Sequence, residues 1–448
     1  MTTPYNKTDF HYIRYGIASD QKYLLEFINN YGNLIVNAKT VAFNGKSLSL
    51  FLHKIIKKVN FTIDPETHAF QHDRSFIEST SKNNKGKSVI KKSIQALIKA
   101  YGAPIDNVVK NGKILQVSDF DNTDIRAFCK RVIDFQCDTI KAQESAEDVS
   151  EYYDFLVEKK KITDGLVRPE FIIAPYFYLN GSDFSAWLEL NIKCIHNSIP
   201  IAKQKKLPLA AELVISQDIL IDDAKMSNII DHYNSLNIEK IFLWIDSFSE
   251  HDANEHYLKS YIDLLRKLNK PVVDLYGGYL SIILKKTKIC ENLVGVSHGM
   301  GFGEDRSVVP VGGGVPAAKF YLPSLHKRLI FRNALESIRP LDGHKNRVSY
   351  FSKICDCPTC KSIIKNDPLN DFRFYGVTKP GSNLREFPTS ETIDNCIRHY
   401  MYSKIREYSE PITKEIVKSN LDETYYKLKG FLPENIISHC QKWIYIIG

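Results

Sequence analysis

The chain has 448 residues, 43% of them apolar and 25% charged, an ordinary globular balance that leaves little room for extended disorder. Sixty Lys and Arg against 52 Asp and Glu give a formal charge of +8, which suits a polyanionic partner without demanding one. The longest apolar stretches, such as Phe171–Leu179, fall far short of the roughly 20 residues that span a bilayer, and the N-terminal segment lacks a basic-then-apolar signal pattern, so the expectation is a cytoplasmic protein with no membrane partner.

Short β-branched or aromatic runs recur at Asn33–Asn37, Val59–Ile63, Phe171–Leu179, Leu209–Ser216, Lys240–Ile245, Pro271–Leu275, Leu293–Ser297 and Lys319–Leu322. Most are near-continuously apolar, as strands covered on both faces are. Between residues 209 and 297 they alternate with helical patterns at Ala224–Leu236 and His256–Leu268, and strand–helix alternation builds a parallel sheet. Eight such strands predict an α/β fold, a closed (β/α)8 TIM barrel over residues 1–345. Residues 72–167 break the rhythm. Lys82, Lys85, Lys87, Lys91 and Lys92, then helical patterns at Ile94–Tyr101, Thr123–Gln143 and Ala146–Lys160, predict a helical insertion there. Residues 346–448 are expected to form a zinc-binding and helical C-terminal subdomain.

Nine cysteines, an odd number and mostly scattered, argue against a disulfide framework. Cys355, Cys357 and Cys360, however, fall within six residues around Pro358. Thiolates so close repel one another unless a cation holds them. Tetrahedral Zn²⁺ takes four such ligands, and the fourth is expected from His399, with Cys396 one helical turn earlier as the alternative. With four protein ligands the zinc is structural and has no vacancy for water.

The order of that cluster and a distant histidine resembles the tRNA-guanine transglycosylases and their DNA-modifying relatives that insert 7-deazapurines. The resemblance implies a zinc-bearing (β/α)8 barrel with Cys355, Cys357, Cys360 and His399 as ligands. Tyr400-Met-Tyr402 and Ile405-Arg406-Glu407 are similar to the family's helix after its zinc histidine. Phe61–Gln71 is similar to the strand ending in D-S-G-G-F-Q, whose essential Asp maps onto Asp64. Leu213–Gln217 is similar to the G-I-V-Q-G-G strand, which makes Gln217 a base contact. Phe242–Phe248 takes the place of the G-G-L-x-V-G-E loop, and Pro271–Gly278 resembles the strand that follows it. Three departures stand out. Glu66 and Thr67 replace the paired glycines after the essential Asp. The 38 residues between Cys360 and His399 exceed the usual spacing. No Asp stands in Val294–Gly299, where the family has its nucleophile.

Exchanging a base on a nucleoside breaks an N-glycosidic bond through an oxocarbenium-like transition state. One carboxylate stabilises or captures that cation, and an acid–base group handles the protons. Asp64 and Asp246 end apolar strands at the rim where this fold builds active sites, and Asp274 lies near the end of another. Asp64 ranks first and Asp246 second, as a displaced nucleophile; a strand-end Asp that caps the next helix has the same appearance. His68 is a proton carrier or base contact. Ser297 and His298 stand in the missing nucleophile's place, before a loop with Gly299, Gly301 and Gly303, and Gly312–Gly314 is a weak phosphate-cradle pattern. Lys203–Lys206, Lys285–Lys288 and the group Lys327, Arg328 and Arg332 are candidates for gripping phosphates.

The expected activity is that of a pentosyltransferase replacing guanine in DNA or tRNA with a 7-deazapurine base, with DNA favoured by the departures from the family pattern. The alternatives are a catalytically silent barrel that binds nucleic acid or a partner subunit, and a hydrolase of small nucleosides. A protein partner or homodimer stays open.

Overall fold

A computed structural model describes residues 7–72, 74–80, 88–140, 162–163, 166–181, 183–301, 305–308, 318–381 and 385–448. The helix expected at Ala146–Lys160, the lysines at 82, 85 and 87, Gly303 and Gly312–Gly314 lie outside these residues.

Eight parallel strands run in chain order around one sheet: β1 (Thr8–Tyr15), β2 (Tyr31–Asn37), β3 (Asn60–Asp64), β4 (Ile172–Ile173), β5 (Leu209–Ile215), β6 (Lys240–Ile245), β7 (Val272–Asp274) and β8 (Leu293–His298). β8 returns to β1, with His11 opposite Val296, so the sheet curls into a nearly closed barrel. Among the described residues only the β3–β4 seam lacks a ladder. There Glu170 N donates to Phe61 O at 2.8 Å, and side chains from the turn after β3 do the rest. The Thr67 hydroxyl donates to Tyr176 O at 2.6 Å and accepts from Tyr176 N at 2.9 Å. The Gln71 amide serves Tyr178 in the same way, at 2.7 and 3.3 Å. Buried backbone groups must find partners, and two polar side chains supply them here.

The strand expected over Phe171–Leu179 is regular only at Ile172–Ile173, because Pro175 has no N–H to give. Pairing with β5 resumes where Leu179 N donates to Val214 O at 2.9 Å. A second expectation fails more plainly. Lys319–Leu322 is not a barrel strand; it forms an antiparallel hairpin, β9 (Lys319–Leu322) with β10 (Lys327–Ile330), outside the barrel. Its place is taken by β1, whose run TDFHYIRY carries His11 and Arg14. Both are buried, so polar residues hide a core strand from any search for apolar runs. Alternation explains the placement: Tyr12 joins the barrel interior, while Ile13 and Tyr15 face the helices.

The outer layer includes α1 (Ala38–Ile55), α2 (Ile125–Asp138), α3 (Phe184–Lys205), α4 (Asp223–Ser235), α5 (Glu255–Lys267) and α6 (Tyr279–Lys286). In α5, Leu258, Tyr261, Ile262 and Leu265 repeat at helical spacing and are buried against the sheet. Each such side chain contributes about 1.5–3 kcal/mol. Asn254 caps its first turn by accepting from Tyr257 N at 3.1 Å, and Arg266 and Lys267 close its last turn, where the helix dipole favours cations. The segment after β3 is helical as expected, at Lys92–Tyr101 and Ile105–Lys110, but it also holds a small hairpin of Glu78–Thr80 with Ser88–Ile90. It ends in α2, which returns to the barrel. There the Gln136 side chain brackets the backbone of Ile173 at 2.8 and 2.9 Å.

Beyond the hairpin come α7 (Ser390–Ser409), α8 (Lys414–Leu428) and α9 (His439–Ile446). Tyr408 on α7 donates to Val296 O in β8 at 2.9 Å, and Trp443 on α9 donates to Glu250 O at 3.0 Å. One continuous apolar core therefore runs from the barrel helices into this C-terminal part, with a second cluster inside the barrel around Tyr12, Ile35, Phe242 and Trp244. Among the described residues no helix is long and apolar enough to cross a membrane.

Candidate functional site

Two constellations stand out: a cysteine–histidine cluster on the C-terminal side and an acidic cup at the barrel mouth. In the first, the ligand atoms of Cys355, Cys357, Cys360 and His399 all lie within 4.8 Å of one another, and all four residues are buried. Local sequence explains the geometry. Cys357 is the cap residue of the helix Pro358–Ile363; its sulfur accepts from Cys360 N at 3.4 Å, as Cys355 Sγ does from Cys357 N at 3.4 Å. Amides aimed at sulfur favour thiolates. His399 comes from α7 and places Nδ1 3.4 Å from Cys357 Sγ and 3.5 Å from Cys360 Sγ. Its Nε2 donates to Tyr321 O at 2.6 Å, which fixes the tautomer that presents Nδ1 to the sulfurs. Phe320 stacks on the ring at 4.1 Å. A cluster of this geometry can hold a metal ion. Cys396 stands apart from it and donates to Tyr375 O at 3.7 Å.

At the mouth, Asp64 ends β3 with only 7% of its surface exposed. Its Oδ1 accepts from the Tyr176 hydroxyl at 2.6 Å and from Glu66 N at 2.8 Å. Burial, reinforced by the neighbouring Glu66 charge, pushes the Asp64 carboxyl up to about 6. Glu66 behaves oppositely: burial works against its charge, but Lys39 and Asn37 hold it below the usual carboxylate range. Lys39 Nζ and Asn37 Nδ2 each approach it at 2.8 Å. Glu66 itself sits at φ 49°, a left-handed turn without glycine that bends the chain back over β3. His68 stacks on Tyr176 at 5.1 Å and meets Trp244 edge-on at 5.2 Å, and burial holds it neutral. Asp64, Glu66, His68, Trp244, Tyr276 and Arg306 enclose a cavity of about 10 Å³, room for about one water.

The roof over this cup is Asp305–Val308. Arg306 O accepts from Trp244 Nε1 at 3.1 Å and Ser247 N at 2.9 Å, and Val308 N donates to Asp246 Oδ1 at 2.8 Å. Asp246 also accepts from Tyr178 Oη at 2.8 Å and Ser247 Oγ at 3.0 Å, so both carboxyl oxygens are engaged. Gln217 spends its amide on Asp246 O and Ser247 O, at 3.0 and 3.1 Å.

The remaining sequence candidates separate. Asp274 turns toward the helix layer, where Tyr261 on α5 and Ser281 on α6 donate to it at 2.5 and 3.0 Å. His298 lies between β8 and α7, with Nε2 2.8 Å from His11 Nε2 and its ring edge-on to Tyr400 at 5.3 Å. Ser297 is buried in β8, and its hydroxyl has no hydrogen-bond partner among the described residues. Thus Asp64 and His68 share the cup, Asp246 holds its roof while Gln217 is bonded to the Asp246–Ser247 backbone, and Asp274 and His298 face elsewhere. Sequence reasoning missed Glu66, Tyr176, Trp244, Arg306 and the buried Glu212. A lone acid in the apolar run Leu209–Ile215 was the available signal for Glu212.

Beside the cup, and sharing Tyr276 with it, opens a cleft of about 470 Å³ that reaches Lys327, Arg328 and Tyr400. The Arg328 guanidinium lies 3.6 Å over the Tyr400 ring and donates to Gly299 O at 3.0 Å. The basic groups are partly occupied: Lys327 in the cleft pairs with Asp252 at 3.2 Å, Lys205 with Asp134 and Asp138, and Arg332 with Glu336. No protein-family model matches the chain, and no curated protein matches it.

Proposed function

We propose that this protein is a nucleic-acid base-exchange transglycosylase that replaces guanine in DNA, or in tRNA, with a 7-deazapurine base, and that the Cys355, Cys357, Cys360 and His399 cluster holds structural Zn²⁺. One observation carries the reading: Asp64, held near 6 at the C-terminal end of a barrel strand, sits in a buried, aromatic-lined cup beside the ionised Glu66. A group that titrates near neutrality gives and takes protons with little driving force lost, as the leaving and arriving bases require. A fixed negative charge beside it offsets the developing positive charge of the sugar. Trp244, Tyr276 and His68 offer flat faces for a base turned out of its stack. Three thiolates and an imidazole Nδ1 are the donor set of a closed zinc site, which leaves no position for a reacting water.

A cavity of about 10 Å³ admits no base, so the roof Asp305–Val308 has to lift for substrate to enter. Lifting it removes the Val308 N–H from Asp246 and frees an oxygen at the mouth, which keeps Asp246 in the role of the carboxylate that meets the sugar. The cleft with Lys327 and Arg328 is the surface assigned to the phosphates. The test is incubation of DNA or tRNA with labelled 7-deazaguanine. Label is expected to enter nucleic acid with wild type and not with Asp64→Asn; label in neither nucleic acid rejects the enzyme.

The closed cup also favours a second reading, a silent barrel that binds nucleic acid or a partner subunit. Under it, Asp64→Asn and Asp246→Asn leave nucleic-acid binding and cellular function unchanged.

A further inference from the structure

The main chain of Arg306 is firmly held in the roof, but its side chain is not. Arg306 O accepts from Trp244 Nε1 at 3.1 Å and from Ser247 N at 2.9 Å. The guanidinium, with five N–H donors, makes one hydrogen bond among the described residues, from Nη1 to the Tyr276 hydroxyl at 3.5 Å, the long limit of such a bond. It nevertheless lines the cup, where Arg306, Asp64, Glu66, His68, Trp244 and Tyr276 surround room for about one water. A loosely held cation therefore faces two carboxyl groups across the width of one small molecule. Lys39, the other cation lining this space, is spent on Glu66 at 2.8 Å.

The two acids are not equally engaged. Glu66 is filled, with Lys39 Nζ and Asn37 Nδ2 on Oε1 and Lys39 N on Oε2 at 3.0 Å. On Asp64 both bonds end on Oδ1, from the Tyr176 hydroxyl and from Glu66 N, so Oδ2 has no partner among the described residues. A carboxyl group with one oxygen to spare, walled by the flat faces of Trp244, Tyr276 and His68, suits a planar group that donates parallel N–H bonds. A guanidinium is such a group. Guanine and 7-deazaguanine carry the same fragment, with N1–H and the 2-amino group on one carbon.

We propose that the Arg306 side chain is an internal stand-in for the base: in the closed protein its guanidinium fills the place opposite Asp64 that the guanidine edge of guanine or 7-deazaguanine takes, and it withdraws when the base enters. The inference rests on the base-exchange reading for the identity of the ligand and on the geometry of the cup for the site. One long hydrogen bond is a weak hold, so withdrawal costs little. A ligand without the guanidine edge has nothing to put in the vacated place, which makes Arg306 a determinant of specificity and a competitor of the substrate.

The experiment has two arms on the full chain. Arg306→Ala keeps the roof bonds, because these come from Arg306 O and Val308 N. Arg306→Gln, shorter and uncharged, serves with the same expectations if Arg306→Ala does not fold. In the first arm, calorimetry with methylguanidinium is expected to show binding to Arg306→Ala, none to wild type, and none once Asp64→Asn is added. Equal binding to wild type and Arg306→Ala, or binding to neither, overturns the proposal. In the second, 7-deazaguanine is expected to bind Arg306→Ala about tenfold more tightly than wild type, as when the competent state is populated about one part in ten. Adenine, which lacks the edge, should gain nothing. Weaker binding of 7-deazaguanine makes Arg306 an ordinary base contact and overturns the stand-in, as does an equal gain for adenine. Amide exchange at Val308 should stay as in wild type; if it quickens as the affinity rises, the gain belongs to a loosened roof and the proposal falls. If label enters no nucleic acid although 7-deazaguanine binds Arg306→Ala as expected, the base-exchange reading falls and the stand-in stands. If methylguanidinium binds neither protein, the stand-in falls while the exchange assay still decides the function.

Discussion

His399 gives its Nε2 proton to the carbonyl of Tyr321 at 2.6 Å, and this one bond ties α7 to the β9–β10 hairpin while aiming Nδ1 at three sulfurs. An imidazole whose far nitrogen is anchored cannot rotate away, so the cluster's affinity for any metal ion would be partly a property of the hairpin.

The first expectation follows for metal content. Cys360→Ser or His399→Ala should lose the single bound equivalent, measured by elemental analysis, and the thermal midpoint should fall. Cys396→Ser should keep the metal, because that sulfur serves Tyr375 instead. Retention of metal in His399→Ala would contradict the ligand assignment.

At the mouth, the pH dependence has a definite sign. The Asp64 carboxyl is raised to about 6 in the folded protein, so unfolded chains ionise first as pH rises. Wild type therefore loses stability relative to Asp64→Asn between about pH 4 and pH 6, and the gap stays constant above. Thermal melts of the two proteins across pH 4–8 read this directly. A gap that does not change with pH would place Asp64 in water.

Roof opening is measurable without substrate. Tyr178→Phe removes one donor from Asp246, and loss of one such bond costs about 0.5–1.5 kcal/mol. Amide exchange at Val308, whose N–H rests on the same carboxylate, should quicken by about threefold to tenfold. Unchanged protection at Val308 would mean that Asp246 does not hold the roof.

The seam between β3 and β4 offers a test of the fold. Thr67→Val keeps the shape but strips both the N–H and the C=O of Tyr176 of their partner, at a cost of about 1–3 kcal/mol for each buried group left unsatisfied. Denaturant midpoints should drop accordingly, and a neutral result would show that the seam relaxes into a ladder.

A buried ion pair predicts acid sensitivity. Lys404 Nζ lies 2.9 Å from Glu407 Oε2, with His326 Nδ1 2.6 Å from the other oxygen. Burial opposes the Glu407 charge, but Lys404 and His326 bring its pKa down to about 2. Because the folded value is depressed, its contribution is complete above about pH 4.5 and disappears as pH falls toward 2. Glu407→Gln, which takes this carboxylate from a buried ammonium, should cost about 3–5 kcal/mol at neutral pH and much less at pH 3.

Much of this architecture is written in the residues. The apolar runs of β5, β6 and β8 and the helical spacing of α4 and α5 mark themselves, since burial on both faces leaves only one kind of side chain. The cysteine–histidine cluster is equally plain, because three thiols within six residues mark themselves. β1 was invisible for the opposite reason: His11 and Arg14 are buried yet polar, the one against His298, the other stacked on Tyr276 at 3.4 Å. A hairpin such as β9–β10 has the same local composition as a barrel strand, and only pairing tells them apart. At the cup, Asp64 was legible because a strand-end acid is conspicuous, whereas Tyr176, Trp244 and Arg306 arrive from distant segments. Asp246 and Asp274 look alike in sequence. Their difference lies in which side of the sheet each faces, and that is decided by neighbours rather than by spacing.

The residue after His399 is Tyr400, the aromatic floor on which the Arg328 guanidinium rests. One rung of α7 therefore serves two masters, the sulfur cluster on one side and the charged cleft on the other. On the proposed reading, in which the cluster holds an ion and the cleft takes phosphates, chelation would slacken this rung and weaken the grip on a polyanion even while the strands stay paired. Whatever fills the sulfur cluster would then shape the outer cleft as well as the fold.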